Sequence, residues 1–165
     1  MISIINILNY RNILVFIFIA STVATLTALI AEYIFGLRPC ILCIYERIPY
    51  ILTIIFSILG ITILKLRKPM LILCLLTFIC STALSLYHAG VEYQIFEGTS
   101  SCNSSSSNKT ITLEELRTQI LDNSRPSCSE VSFRFMGVSI TGWNAILSLT
   151  LSYLSYIVLR RPKYE

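Results

Sequence analysis

Four long stretches without a formal charge constrain this chain more than any other feature. Ile13–Ala31, Ile48–Leu64, Pro69–Val91 and Phe135–Leu159 run for 17 to 25 residues each. A helix needs about 20 residues to cross a hydrocarbon core ~30 Å thick. Each stretch suffices, the second after extension back towards Cys43. Lipid offers no partner to a backbone amide, so segments that cross it must be helices. Composition agrees: of 165 residues, 55% are apolar and 13% charged, and mean hydropathy is +0.72. A soluble domain draws much of its polar skin from Lys, Glu, Arg and Asp, and ten of these residues are crowded into positions 92–134. Disorder and a large soluble enzyme core are excluded. A nucleic-acid binder is not indicated either, because the net charge of +4 forms no basic patch with interleaved aromatics. The expected fold is an all-α integral membrane bundle of four transmembrane helices in a single domain, 1–165. Its spans are expected near 13–31, 44–64, 69–91 and 135–159, with a long outer loop, 92–134. The first stretch reads as a retained helix. Its apolar run exceeds the ~7–15 residues of a signal peptide, and cleavage after Ala31 would place the bulky Leu29 at −3.

Connections between the stretches set the expected orientation. Arg11, Lys65, Arg67, Lys68, Arg160, Arg161 and Lys163 fall on one side, with Glu165 as the one acid there. On the other side six basic residues face eight acids. The positive-inside rule then puts both termini in the cytoplasm, and segments 32–47 and 92–134 outside. Within the long loop, Ser100–Ser107 is broken only by Cys102 and Asn103 and reads as flexible linker. Thr112 and Glu115 fit a capping box, followed by Leu113, Leu116 and Ile120 on one helical face. That short amphipathic helix either lies on the membrane surface or packs on the base of its own loop. Asn103 and Asn108 head N-x-Ser/Thr sequons, a coincidence of a Ser-rich loop.

Six cysteines are distributed unevenly. Cys40, Cys43, Cys102 and Cys128 fall on the outward side, while Cys74 and Cys80 sit inside the third span and read as packing residues. Four cysteines on an oxidising face suggest two disulfides, with three formal pairings. Cys40 and Cys43 close a tight ring most readily, which leaves Cys102 to pair with Cys128. The longer loop would be stabilised by about 3.5 kcal/mol on the chain-entropy estimate. A two-residue spacer stabilises less, and its usual use is redox exchange. The alternative is half of a zinc site, which would need the single His and a further Cys to converge on it. Cys43 falls near a helix N-terminus, where the dipole favours a thiolate. Arg47 is four residues on, along the same face. A charge at that depth is costly; it either snorkels or pairs with Glu46 or Glu32, or it stabilises an anion beside Cys43. No haem, flavin or nicotinamide motif is present, so the acceptor suited to a redox pair at the membrane boundary is a lipophilic quinone.

These residues resemble the disulfide bond formation protein B family (DsbB), inner-membrane oxidases that use quinone to reoxidise the periplasmic thiol oxidase DsbA. Arg38–Arg47, with the sequence RPCILCIYER, is similar to the family's CxxC segment nearly throughout. Tyr87–Glu92 resembles the end of the third span. Cys102 and Cys128 match the second cysteine pair in position. Phe135–Ser139 and Gly142–Ala145 resemble the start of the fourth span. Phe133 stands where many members carry Trp, and the stretch around Cys102 has little family character.

The resemblance implies a relay. A reduced, DsbA-like thioredoxin-fold partner attacks Cys102 and releases Cys128. Cys128 then reaches Cys40, and Cys43 is freed as a thiolate against a quinone, ubiquinone or menaquinone, with Arg47 stabilising the negative charge. His88, the only histidine, would lie near the quinone as a hydrogen-bond donor or proton relay; its plainer role is an interfacial His bonded to a carbonyl. Implied partners are the periplasmic oxidase, the membrane quinone pool and lipid, with no nucleic acid and no metal. The implied location is a bacterial inner membrane, with the redox loops in the periplasm. Vitamin K epoxide reductase-like proteins also combine a helical bundle, a CxxC and quinone, but there the CxxC opens a late span and the loop pair precedes it. A non-enzymatic four-span protein with structural disulfides would not need a CxxC at a helix start.

Overall fold

The computed structural model describes residues 9–96, 98, 128, 134–135 and 137–160. Four helices dominate it: α1 (Tyr10–Tyr33), α2 (Ile41–Thr62), α3 (Arg67–Glu92) and α4 (Ile140–Arg160). A 3-10 turn, Leu64–Leu66, joins α2 to α3. Two-residue strands β1 (Arg134–Phe135) and β2 (Val138–Ser139) form an antiparallel hairpin ahead of α4. All four helices are long and apolar enough to cross a membrane, so the fold is an all-α membrane bundle. α3 packs on both α2 and α4, and α1 lies mainly against α2.

Two helix starts differ from the stretches read in the sequence. α2 begins at Ile41, because Cys40 holds an extended conformation and its Sγ accepts the Cys43 N–H at 3.2 Å, capping the first turn. α4 begins at Ile140 rather than near 135. The hairpin takes up the preceding residues, and Gly137 supplies a φ of +82°. Ser139 then caps the new helix, its Oγ accepting the Gly142 N–H at 3.1 Å.

The end of α3 is also specified locally. Gln94 adopts a φ of +57°, its N–H bonds to the Val91 carbonyl, and the Ile95 N–H reaches back to the Gly90 carbonyl at 2.8 Å. This is a Schellman termination. It folds the chain back so that the Phe96 ring lies over Gly90, where an added Cβ would stand 2.2 Å from Phe96 Cδ2. Only glycine permits that approach.

Polarity inside the bundle is the reverse of a soluble protein. Ile19, Val23, Ile48, Ile55, Leu76, Ile79 and Leu149 point outward, whereas Ser21, Thr53, Ser57, Ser81, Ser85, Ser148 and Ser155 are buried. Helices in lipid gain no hydrophobic advantage from hiding large aliphatics. Small residues and hydroxyls are favoured between them, because they allow close approach and bond across the interface. Ser21 bonds to Thr53 across α1 and α2, and Ser81 to Ser148 across α3 and α4, both at 3.0 Å. An apolar cluster of Leu14, Ile17, Tyr50, Leu71, Phe78 and Leu151 fills the remaining centre. Cys74 belongs to this cluster, but Cys80 faces outward.

Candidate redox site

The end of the bundle that carries the α2 N-terminus also holds the α3 C-terminus and the start of α4. Cys40, at the cap of α2, is buried, and Cys43, one turn into the helix, is half-buried. Both are thiols here, the reduced state of the pair. Cys128 is buried against them, in a cluster with Cys40, Leu42 and Val91. Cys102 lies outside the described residues, as do the Ser-rich stretch, the amphipathic segment around Thr112–Ile120, the two sequons and Phe133.

His88 comes from the last turns of α3 and is almost wholly buried. Its Nε2 is 3.5 Å from Cys40 Sγ, and its Nδ1 is 2.9 Å from Glu46 Oε1. The Glu46 carboxyl at Nδ1 orients the ring so that Nε2 faces the Cys40 sulfur. Hydrogen bonding to Cys43, and then burial, raise the Cys40 thiol above its ordinary range, against the downward pull of His88. The structure thus places His88 beside the cysteines, bonded to side chains and not to a backbone carbonyl.

Arg47 has a different setting. It pairs with Glu32 near the end of α1, leaving both side chains partly exposed. Of the alternatives open in the sequence, pairing with Glu32 is the contact observed. It balances the charge locally and ties α1 to α2. Cys43 and Arg47 remain one turn apart on α2, both partly buried.

Glu46, read in the sequence only as a partner for Arg47, is instead central to the site. It is 7% exposed, its Oε1 meets His88 and its Oε2 accepts the Asn144 amide of α4 at 2.9 Å. Asn144 also donates to Ser85 Oγ at 2.8 Å and accepts from the Tyr50 hydroxyl, which bonds in turn to Ser148. Glu92 belongs here too: its Oε1 accepts from Thr141 at 2.7 Å and lies 4.0 Å from His88 Nε2, while its buried Oε2 has no hydrogen-bond partner among the described residues. Two carboxylates thus flank one imidazole, and Asn144 holds one of them. The signal for Glu46 and Asn144 was present in the chain, since a carboxylate or amide within a span is expensive unless it meets a partner inside the bundle. The partner's identity required the packing of α2, α3 and α4.

Comparison with known proteins places the whole bundle in one family. The family model described as disulfide bond formation protein DsbB matches residues 10–158. A disulfide bond formation protein B of Xylella fastidiosa is 33% identical over 144 residues, covering 80% of this chain and 82% of the relative. One from Histophilus somni is 28% identical over 164 residues, covering 97% and 91%. An uncharacterized protein of Rickettsia prowazekii is 33% identical over 156 residues, covering 94% and 91%.

Proposed function

Because this chain belongs to the disulfide bond formation protein B family, we propose that it reoxidises a periplasmic, DsbA-like thiol oxidase and passes the electron pair to a membrane quinone. At the coarser level it is a multi-pass membrane protein of disulfide bond formation, with the role of a disulfide oxidoreductase. The observation that carries the finer reading is the convergence of Cys40, Cys43, Cys128 and His88 at one end of the bundle. A passive staple does not need a buried imidazole 3.5 Å from one sulfur.

In this reading the partner's thiolate attacks Cys102, and Cys128 leaves. Cys128 already packs against Cys40, so it can attack the oxidised Cys40–Cys43 bond at Cys40 and release Cys43. His88 stands at Cys40 Sγ, and its Nε2 accepts the proton when that thiol must become a nucleophile again. Glu46 holds the ring by Nδ1 and stabilises the imidazolium that forms. Asn144 holds Glu46 in turn.

The residues fit a quinone. Cys43 is the less buried of the pair, and the partly exposed Arg47 is one turn away. When bound, a quinone would supply a two-electron sink for the dithiol. Arg47 and Cys43 would hold it, with His88 behind Cys40. The location that goes with this reading is a bacterial inner membrane, with both termini in the cytoplasm and Cys40, Cys43, Cys102 and Cys128 on the periplasmic side.

The test is catalytic oxidation of a reduced thioredoxin-fold partner by the purified protein in lipid nanodiscs. Turnover should require added quinone and should stop with Cys40→Ser or Cys102→Ser. A partner lacking its resolving cysteine should remain trapped on Cys102. Turnover without any quinone, or trapping on Cys40, would refute the scheme.

A further inference from the structure

Cys40 Sγ, Cys43 Sγ and a ring nitrogen of His88 all lie within 4.8 Å of one another. We propose that the reduced site binds a thiophilic divalent cation of the zinc type, held by these three residues, with the fourth position open to water. The inference goes beyond the oxidase reading, since it concerns the dithiol itself and requires no partner or quinone.

Three features of the structure support it. Zn–S bonds of about 2.3 Å and Zn–N bonds of about 2.0 Å at tetrahedral angles put sulfur and nitrogen roughly 3.5 Å apart. Cys40 Sγ and His88 Nε2 are 3.5 Å apart. The imidazole also has its outer partner in place. A zinc-bound histidine characteristically donates its other ring N–H to a carboxylate, which fixes the tautomer and raises ligand basicity. Glu46 Oε1 occupies that position, 2.9 Å from Nδ1, and Asn144 steadies its second oxygen at 2.9 Å. Finally, the Cys43 N–H points at Cys40 Sγ from 3.2 Å, a bond that stabilises a sulfur carrying negative charge.

Binding displaces the thiol protons of Cys40 and Cys43, so two protons are released for each ion bound. The oxidised pair has no thiolate to offer, which makes the site specific to the reduced protein. An ion held by both sulfurs keeps the reduced dithiol from being reoxidised. Free zinc would therefore act as an inhibitor that recognises the reduced enzyme.

The experiment uses full-length protein in detergent micelles, with Cys74→Ala and Cys80→Ser introduced to remove thiols outside the site. Zn2+ affinity is measured by competition with a chromophoric chelator, for protein reduced by a phosphine and for protein left oxidised. One ion per reduced chain is expected, with at least 100-fold weaker binding to the oxidised form. Cys43→Ser and His88→Gln should each weaken binding at least tenfold. Glu46→Gln, which retains every ligand, should weaken it by about tenfold, the lower end of the outer-partner range. Equal affinity in the two redox states would overturn the proposal, as would an affinity unchanged by Cys43→Ser. Loss of binding with Cys102→Ser but not with His88→Gln would assign the ion to a different set of thiols and overturn it as well.

Discussion

Asn144→Leu tests whether the polar cluster behind His88 holds the helices together. The Asn144 side chain donates to Glu46 and Ser85 and accepts from Tyr50, so it bridges α4 to both α2 and α3. Polar bonds between helices in membranes average about 0.6 kcal/mol and reach about 1.7 kcal/mol. The bond to a charged acceptor belongs at the upper end of that range. The total loss expected for Asn144→Leu is therefore about 2–3 kcal/mol. Part of it arises because Glu46 Oε2 is left buried without a donor, and that part disappears if Glu46 is replaced as well. Glu46→Met combined with Asn144→Leu should consequently cost less than the sum of the single variants, by about 1–1.7 kcal/mol. The assay is equilibrium unfolding by SDS in mixed micelles. The single tryptophan, Trp143, is next to Asn144 and serves as the fluorescent reporter. Losses that add to within about 0.5 kcal/mol would mean that the two side chains do not interact energetically, and the proposed support of His88 through Glu46 would fail with them.

Three further outcomes follow from the same structure. Arg47→Lys should retain more activity than Arg47→Gln, because Lys keeps the charge but not the paired donors; both should act mainly by raising the quinone concentration for half-maximal rate, and normal quinone dependence with failed partner exchange would refute that role. As Arg47 pairs with Glu32 at a partly exposed site, neither substitution should cost more than about 1 kcal/mol in the unfolding assay. Gly90→Ala should destabilise the protein by about 1–3 kcal/mol through its clash with Phe96, and Phe96→Ala should recover much of the loss in the double variant. Finally, a thiol label at Leu66→Cys, between Lys65 and Arg67, should react only from the cytoplasm; labelling from outside intact cells would reverse the proposed orientation.

Helix number and the placement of the CxxC pair at a helix start were legible in the chain because both follow from local constraints. A charge-free stretch of membrane length must satisfy its own backbone, and only a helix does so. CxxC spacing places two sulfurs one turn apart whatever surrounds them, and the Cys40 cap of α2 is the local consequence. The inner face of each helix was harder to read, because hydropathy does not separate protein from lipid when both are apolar. A signal did exist in the spacing of small polar residues. Ser81 and Ser85 in α3, and Ser148, Ser152 and Ser155 in α4, recur at helical intervals and line the interior.

Tertiary structure alone decided how the polar side chains combine. Glu46 and Arg47 are neighbours in the chain, and the sequence pointed to Arg47 as the residue serving Cys43, with Glu46 only a possible partner for it. Successive residues on a helix point about 100° apart, so packing sends Glu46 inward to His88 and Asn144 while Arg47 turns to Glu32. The same packing brings His88, forty-eight positions from Cys40, to 3.5 Å from its sulfur. It also seats Cys128 on the dithiol. The start of α4 at Ile140 likewise depends on pairing between Arg134–Phe135 and Val138–Ser139, which composition could not reveal because Phe135 and Val138 are as apolar as the helix that follows. Burial of a charge in lipid demands a partner, but only the arrangement of α2, α3 and α4 determines which one it meets.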